Sequence, residues 1–322
     1  MWSRFDLKSS LTRSFARPEP GVSEVSTPLA THLHLDELVA MRDRRARFGR
    51  DRLVDGFRFG DLTSRKRGSG LELDNIGPYQ PGDDIRHMDW FATARIGRPQ
   101  VKQFRHDVQQ TIILVIDLRP SMMFGSSDQL MAKTACLAAA KIAWSTSKDH
   151  QPLGLLLLGN ETAELVPPRR GRRTRLQHLG RIVEAYRKAR RHAGTPSPTL
   201  DIMLRDLPRR MAGDVEAIII SDFSRLGDGF DRRVREIGAR GAESAVVIED
   251  GLMSTPPPPG VYPLRGDRDQ ELAAVAIRGR DTNVYRMQAD HHRRTLGARL
   301  SSLGMRQVLT ADAKAIGGGF FR

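Results

Sequence analysis

The chain has 322 residues, room for one large domain or two modest ones, with 39% hydrophobic and 28% charged residues. Its 52 Lys and Arg outweigh 38 Asp and Glu, a formal charge of +14, and only eight of the cations are lysine. The one cysteine, Cys136, excludes an intrachain disulfide or a cysteine metal site, and no apolar stretch approaches the ~20 residues of a membrane helix. The N-terminal residues lack the apolar core of a secretory signal, so a soluble, cytoplasmic protein is expected. Arginine forks onto carboxylates and phosphates, which points to an anionic partner. The same Arg enrichment, spread along the whole length, is also what a GC-rich genome produces.

Residues 1–30 are polar, rich in Pro and Ser and without a period, and read as a flexible tail. Residues 34–48 space Leu35, Leu38, Val39 and Met41 for one helical face. Residues 50–70 are turn-rich, and glycines and prolines then punctuate short extended pieces up to Phe104. From Thr111 strands and helices alternate as in a parallel α/β sheet. Strands are expected at 111–116, 153–158, 216–220, 244–249, 273–277 and 305–309, with an edge strand at 162–166. Helices are expected at 128–147, 175–189, 200–211, 230–240 and 288–303. Right-handed crossovers would wind these into a three-layer, doubly wound, mostly parallel sheet with an N-terminal extension.

Two of the apolar strands end in a carboxylate, Asp117 in TIILVID and Asp222 after EAIIIS. In a doubly wound sheet such strand ends meet at the switch point, where ligands bind. Ser121 follows in the first loop, and Thr199 opens the helix that begins at Leu200. Hydroxyls with carboxylates make a hard-oxygen set suited to Mg²⁺. This arrangement resembles the von Willebrand factor A fold and its metal-ion-dependent adhesion site, an Asp-x-Ser-x-Ser loop with a Thr and an Asp from two further loops. The resemblance assigns Asp117 and Ser121 to the first loop, Thr199 to the second and Asp222 to the third. Arg119 stands where the middle Ser belongs. Its guanidinium either pairs with Asp117 or Asp222 in place of the cation, or swings to solvent and leaves a weakened site. As a partner-binding residue, Arg119 would meet a partner's carboxylate directly in place of an ion-mediated contact. Without an ion, Asp117 and Asp222 would serve as caps of the helices that follow.

Before the sheet, residues 71–104 read LELDNIGPYQPGDDIRHMDWFATARIGRPQVKQF. Tyr79, Pro81, Gly82, Asp83, Asp84, Arg86, Asp89 and Trp90, followed by Ala94 and Arg95, resemble the signature of the domain-of-unknown-function 58 family, which precedes an A-type domain. The resemblance covers roughly residues 34–309 and divides the chain into a tail to residue 30, a family segment at 31–108 and an A-like domain from 109 to 322. Read physically, Pro81-Gly82-Asp83 is a turn whose carboxylates pair with Arg86, Arg95 and Arg98, while Trp90, Phe91 and Phe104 pack the segment on the sheet. The competing reading makes Asp83, Asp84, Asp89 and His87 a metal centre for phosphodiester hydrolysis.

The stretch PPRRGRRTR puts Arg169, Arg170, Arg172, Arg173 and Arg175 in one Gly/Pro loop, either a grip for phosphates or an acidic protein, or a solvated turn. No Walker loop, nucleophile elbow or nucleophile–base pair is legible, and His291-His292 lies on an Arg-rich helix face. Gly317–Gly319 has neither a preceding strand nor a following helix. The expected function is therefore non-enzymatic protein binding. The family resemblance implies an adaptor working with a MoxR-type AAA+ ATPase and an unknown client in chaperone-like assembly or maturation, with or without Mg²⁺. A metal-dependent hydrolase of nucleic acid or phosphoester, or a basic nucleic-acid-binding module, are the alternatives.

Overall fold

The computed structural model describes residues 31–42, 67–81, 83–105, 111–126, 129–145, 151–211, 215–253, 256–265, 272–278, 282–305, 308–312 and 316. The expected tail, residues 43–48 of the first expected helix, Gly82 and Gly317–Gly319 lie outside them. The chain divides into two compact units, residues 59–110 and the remainder.

Helix α1 (Leu35–Ala40) is shorter than its sequence pattern and belongs to the larger unit, packing on two later helices rather than with the family segment. Leu38 and Met41 are fully buried, and the Lys133 ammonium reaches back to Glu37 at 2.6 Å and the His32 carbonyl at 2.8 Å. The smaller unit pairs β1 (Arg67–Pro78) antiparallel with β2 (Gln100–Arg105). Between them stand a 3-10 turn at Ile85–His87 and a helix the sequence did not announce, α2 (Trp90–Ile96). Trp, Phe and Thr are poor helix formers, but the Asp89 carboxylate caps the Ala92 amide at 2.9 Å, and Gly97 closes the helix in the left-handed region.

The larger unit continues with β3 (Thr111–Asp117), α3 (Met131–Ser145), β4 (Leu153–Leu158), β5 (Ala163–Arg169) and α4 (Arg172–Arg190). Two short helices, α5 (Leu200–Met203) and α6 (Leu207–Arg210), replace the single helix expected over 200–211. Pro208 at the start of α6 lacks the amide that a continuous helix would need. Then come β6 (Val215–Ser221), α7 (Phe230–Gly238) and β7 (Ala242–Ile248). The chain closes with β8 (Gly260–Arg265), β9 (Leu272–Ile277), α8 (Thr282–Ser302) and β10 (Val308–Ala311).

The main sheet runs β10-β7-β6-β3-β4-β5, parallel except for the edge strand β5. This is the doubly wound, three-layer, mostly parallel α/β architecture expected from the sequence. Strand β9 does not join it and instead forms a separate antiparallel hairpin with β8. A parallel partner needs a crossover, usually helical, and among the described residues no α-helix separates β7 from β9. Edge position also explains Pro167 and Pro168 within β5, where no ladder donor is required. Opposite them Gly154 leaves the room, since a Cβ there would sit 3.1 Å from the Pro168 nitrogen.

Every residue of β4, β6 and β7 is buried. On one face Val115, Ile219 and Val247 meet Leu200, Phe230, Val234 and Leu300 of α5, α7 and α8. Helices α3 and α4 supply the other layer, with α1 over them, which is why thirteen residues of α3 are buried. The switch point lies between β3, whose chain turns to β4, and β6, whose chain turns to β7.

One buried acid sets a pH response. Glu243 on β7 is 2% exposed, and burial pushes its carboxyl up to about 8. Below the ordinary glutamate range both folded and unfolded chains hold this proton. Between pH 4.5 and about 8 only the folded chain does, so this contribution to stability falls as pH rises through that window. Urea midpoints across the window should decline in the natural protein and decline less in Glu243→Gln. Parallel curves would contradict this assignment.

Candidate functional site

Asp117 ends β3 with none of its side chain exposed, and Arg119, two residues on, is equally buried. The Arg119 Nε donates to Asp117 Oδ1 at 2.9 Å and Nη2 donates to Oδ2 at 2.7 Å, a two-pronged pair. The remaining guanidinium hydrogens reach carbonyls on two other loops. Nη1 donates to Pro198 at 2.8 Å and to Arg225 at 3.4 Å, and Nη2 also donates to Ser224 at 3.2 Å. All five guanidinium N–H groups thus have an acceptor, the full capacity of the side chain. Asp222 Oδ1 lies 4.0 Å from Nη2. Arg119 was expected to meet a partner's carboxylate directly. Complete burial withdraws it from any partner, and it acts as an internal tie instead.

Asp117 and Asp222 both approach this tie, and Ser121 and Thr199 lie in the loops that it joins. Ser121, in a 3-10 turn after Arg119, accepts a 3.3 Å hydrogen bond from Ser197, two residues before Thr199. Thr199 is half-buried at the start of α5 and makes no capping bond with its side chain. Asp222 follows β6, and its Oδ1 accepts the Ser224 amide at 3.0 Å. Burial and the nearby Asp117 charge hold the Asp222 carboxyl above its usual range, with Arg119 opposing them.

Other members of the site were not singled out from sequence. Ser221 is fully buried and donates to Asp117 Oδ2 at 2.6 Å, while its oxygen accepts the Phe223 amide at 3.0 Å. A lone hydroxyl closing an apolar strand was the available signal. Phe223 and Arg225 take left-handed backbone angles, φ 52° and 47°, which side chains seldom adopt. This alternation turns the Ser224 and Arg225 carbonyls toward the guanidinium. The loop is held from behind by α5, whose Leu200 and Asp201 amides donate to the Arg225 and Leu226 carbonyls at 2.8 and 3.0 Å. Asp201 Oδ2 accepts the Gly229 amide at 3.0 Å and crowds Gly227, φ +81°, where an added Cβ would lie 2.0 Å from Asp201 Oδ1. Only glycine fits there.

The family signature does structural work. Asp83 accepts the Gln80 amide at 2.8 Å, Asp84 accepts the Arg86 amide at 3.0 Å, and Asp89 caps α2. The Arg86 amide bond is also the main reason the Asp84 carboxyl lies below its usual range. Arg86 pairs with Asp84 at 3.2 Å in solvent, and Lys102 approaches Asp89 at 3.9 Å. Tyr79 is half-buried and Arg95 is exposed on α2, and Trp90 and Phe91, expected to bury themselves, are 67% and 92% exposed. Among the described residues no three His, Cys, Asp or Glu side chains are grouped to hold a metal ion.

The arginine-rich stretch is not one loop. Arg169 ends β5, only Arg170 and Gly171 form the turn, and Arg172, Arg173 and Arg175 lie in the first turn of α4. Arg175 is buried, while Arg169, Arg170, Arg172 and Arg173 face solvent.

Removing Arg119 leaves Asp117 buried beside Asp222 with no compensating charge. Arg119→Met should cost about 3–5 kcal/mol in urea unfolding, and a cost below about 1 kcal/mol, ordinary for a surface change, would contradict the role of the tie.

Comparison with known proteins places the chain in a family. The family described as protein of unknown function DUF58 matches residues 75–295, and the chain belongs to it. Uncharacterized proteins of Mycobacterium tuberculosis and Mycobacterium bovis are 34% identical over 201 residues. The match spans 61% of this chain and 61% of their length, so the chain spans about three-fifths of these curated relatives. Among solved structures, an aerotolerance-related membrane protein from Bacteroides fragilis aligns at 10% identity and TM-score 0.37, over 56% of this chain and 88% of its own. The BatB protein from Bacteroides thetaiotaomicron aligns at 11% and 0.34, over 60% and 98%. A von Willebrand factor type A protein from Catenulispora acidiphila aligns at 16% and 0.32, over 46% and 35%. No helix among the described residues is long and apolar enough to cross a membrane.

Proposed function

We propose that this DUF58 family member is a non-enzymatic, cytoplasmic protein-binding adaptor whose adhesion-type crevice is held by a guanidinium instead of a divalent ion. The observation that carries this reading is the complete use of Arg119. In the adhesion-site pattern a cation draws carboxylates and hydroxyls of three loops together. Here Arg119 supplies the positive charge, bonds to all three loops and leaves no donor for a ligand. The set does not suit Mg²⁺, because one hydroxyl ligand is gone and a fixed like charge sits against both carboxylates. The crevice is then a rigid scaffold that presents its rim to a partner at all divalent-ion concentrations.

The hydrolase reading loses support because its carboxylates already cap turns and a helix. For a second partner surface, at the end of the sheet opposite the crevice, the exposed arginines at the β5–α4 junction have a physical argument. Arg172 and Arg173 place positive charge at the positive end of α4, with no acidic residue in that turn. An acidic partner relieves this repulsion. By family resemblance that partner is a MoxR-type AAA+ ATPase, and the client is a third protein.

The test is association with a MoxR-type ATPase of the same organism, followed by light scattering. The expected complex survives exchange of Mg²⁺ for EDTA after assembly and weakens at least about tenfold when Arg169, Arg170, Arg172 and Arg173 are changed to Glu. No complex with the natural chain, or a complex lost on EDTA alone, would overturn the reading.

A further inference from the structure

Beside the Arg119 tie, and within the same compact unit, a cavity of about 350 Å³ opens between the carboxyl ends of β6 and β7 and the face of α8. Its walls are mainly apolar: Phe124, Met131, Val247, Leu252 and Leu296. Phe124 stands 47% exposed, while Met131, Val247 and Leu296 are buried. Its polar groups are unequal in sign. Asp222, Glu249 and Asp250 line it against one arginine, Arg293. That arginine is occupied at 2.7 Å both by Glu249 and by Asp290. His292, also in the lining, has its pKa lowered by burial and stays neutral at physiological pH.

A negative pocket in a chain of formal charge +14 is a local exception. Asp250 is 8% exposed and held by the Ser126 and Leu252 amides at 2.9 and 3.0 Å, so its carboxylate is fixed in place. Asp117 uses the charge of Arg119, which leaves Asp222 only a 4.0 Å approach to the same guanidinium. An apolar body with a cationic end satisfies both walls at once. Size narrows the ligand further. At about 30 Å³ for each water-sized group, the space holds roughly a dozen heavy atoms, far fewer than a dinucleotide. One arginine or lysine side chain with part of a neighbouring apolar residue fills it.

We propose that this cavity is a second binding site, one that receives an arginine or lysine flanked by a bulky apolar residue on a partner polypeptide. The site deepens the protein-binding reading, yet it stands on its own cavity and charges and does not require an ATPase partner. The basic β5–α4 arginines and this acidic pocket select opposite charges, so two different segments or proteins are held at once.

The experiment titrates acetyl-Phe-Arg-amide into the full-length protein with ¹³C-labelled methionine methyls, following Met131. Acetyl-Phe-citrulline-amide serves as the neutral isostere, and benzamidinium as a cation without a peptide. Gly297, on the α8 wall of the cavity, has no atom within 4 Å of an added Cβ. Gly297→Leu therefore fills the space, and replacing a mid-helix glycine favours folding. The expected result is a saturable Met131 shift with the arginine peptide, at least about tenfold weaker with citrulline and absent in Gly297→Leu. Equal binding of both peptides, no shift, or undiminished binding by Gly297→Leu overturns the site. Binding of benzamidinium but not of the peptide overturns the polypeptide assignment in favour of a free organic cation. Loss of the ATPase complex with the peptide shift intact would remove the adaptor reading and leave this one standing.

Discussion

Two opposite charges two residues apart, both sealed from water, set the terms for the rest of this domain. Burying Asp117 and Arg119 costs several kcal/mol per ion unless each hydrogen-bonding position is met. The chain meets them by bringing three loops to one point. The Asp117 carboxylate takes the guanidinium on both oxygens, the Ser221 hydroxyl on one and the Arg119 amide on the other. The guanidinium takes carbonyls from residues 198, 224 and 225. The left-handed Phe223 and Arg225, the glycine at 227 and the brace from Asp201 follow from that demand. Loops that would otherwise be free to vary are fixed by what the buried pair needs.

Much of this was legible. Apolar runs ending in acids located β3 and β6, and Arg119 was visible as the residue out of place. Its solution was not. The acceptors that complete it are backbone carbonyls of Pro198, Ser224 and Arg225, and a carbonyl carries no residue identity that a sequence can advertise. Ser221 was readable in hindsight as the one hydroxyl of an apolar strand. Helix α2 was missed because its caps, Asp89 and Gly97, outweigh poor propensity. The 200–211 helix was overextended because the period continues through Pro208 while the hydrogen bonding does not. The β8–β9 hairpin was misplaced because alternation reports a strand but never its partner.

Charge is distributed against the average. The chain is strongly basic, with exposed arginines where β5 meets α4, while the cavity under α8 is lined by three carboxylates and a single arginine. The crevice and the cavity open at the carboxyl ends of the parallel strands, and the arginines lie at the opposite end of the sheet, where Arg169 pairs with Leu153 at the start of β4. That layout is what the proposed adaptor, which must hold one protein while presenting another, would use. The acids of the family signature are engaged in turns and a cap, so that segment's fold depends on them.

Isothermal titration of Mg²⁺ and Mn²⁺ into the natural protein and Arg119→Ser tests the central claim most directly. The account predicts no binding heat in the natural protein and binding in Arg119→Ser, where the missing hydroxyl is restored and the guanidinium is gone. Stoichiometric binding by the natural protein, lost on Asp117→Ala, would show that an ion and not Arg119 holds the three loops, and would contradict the account.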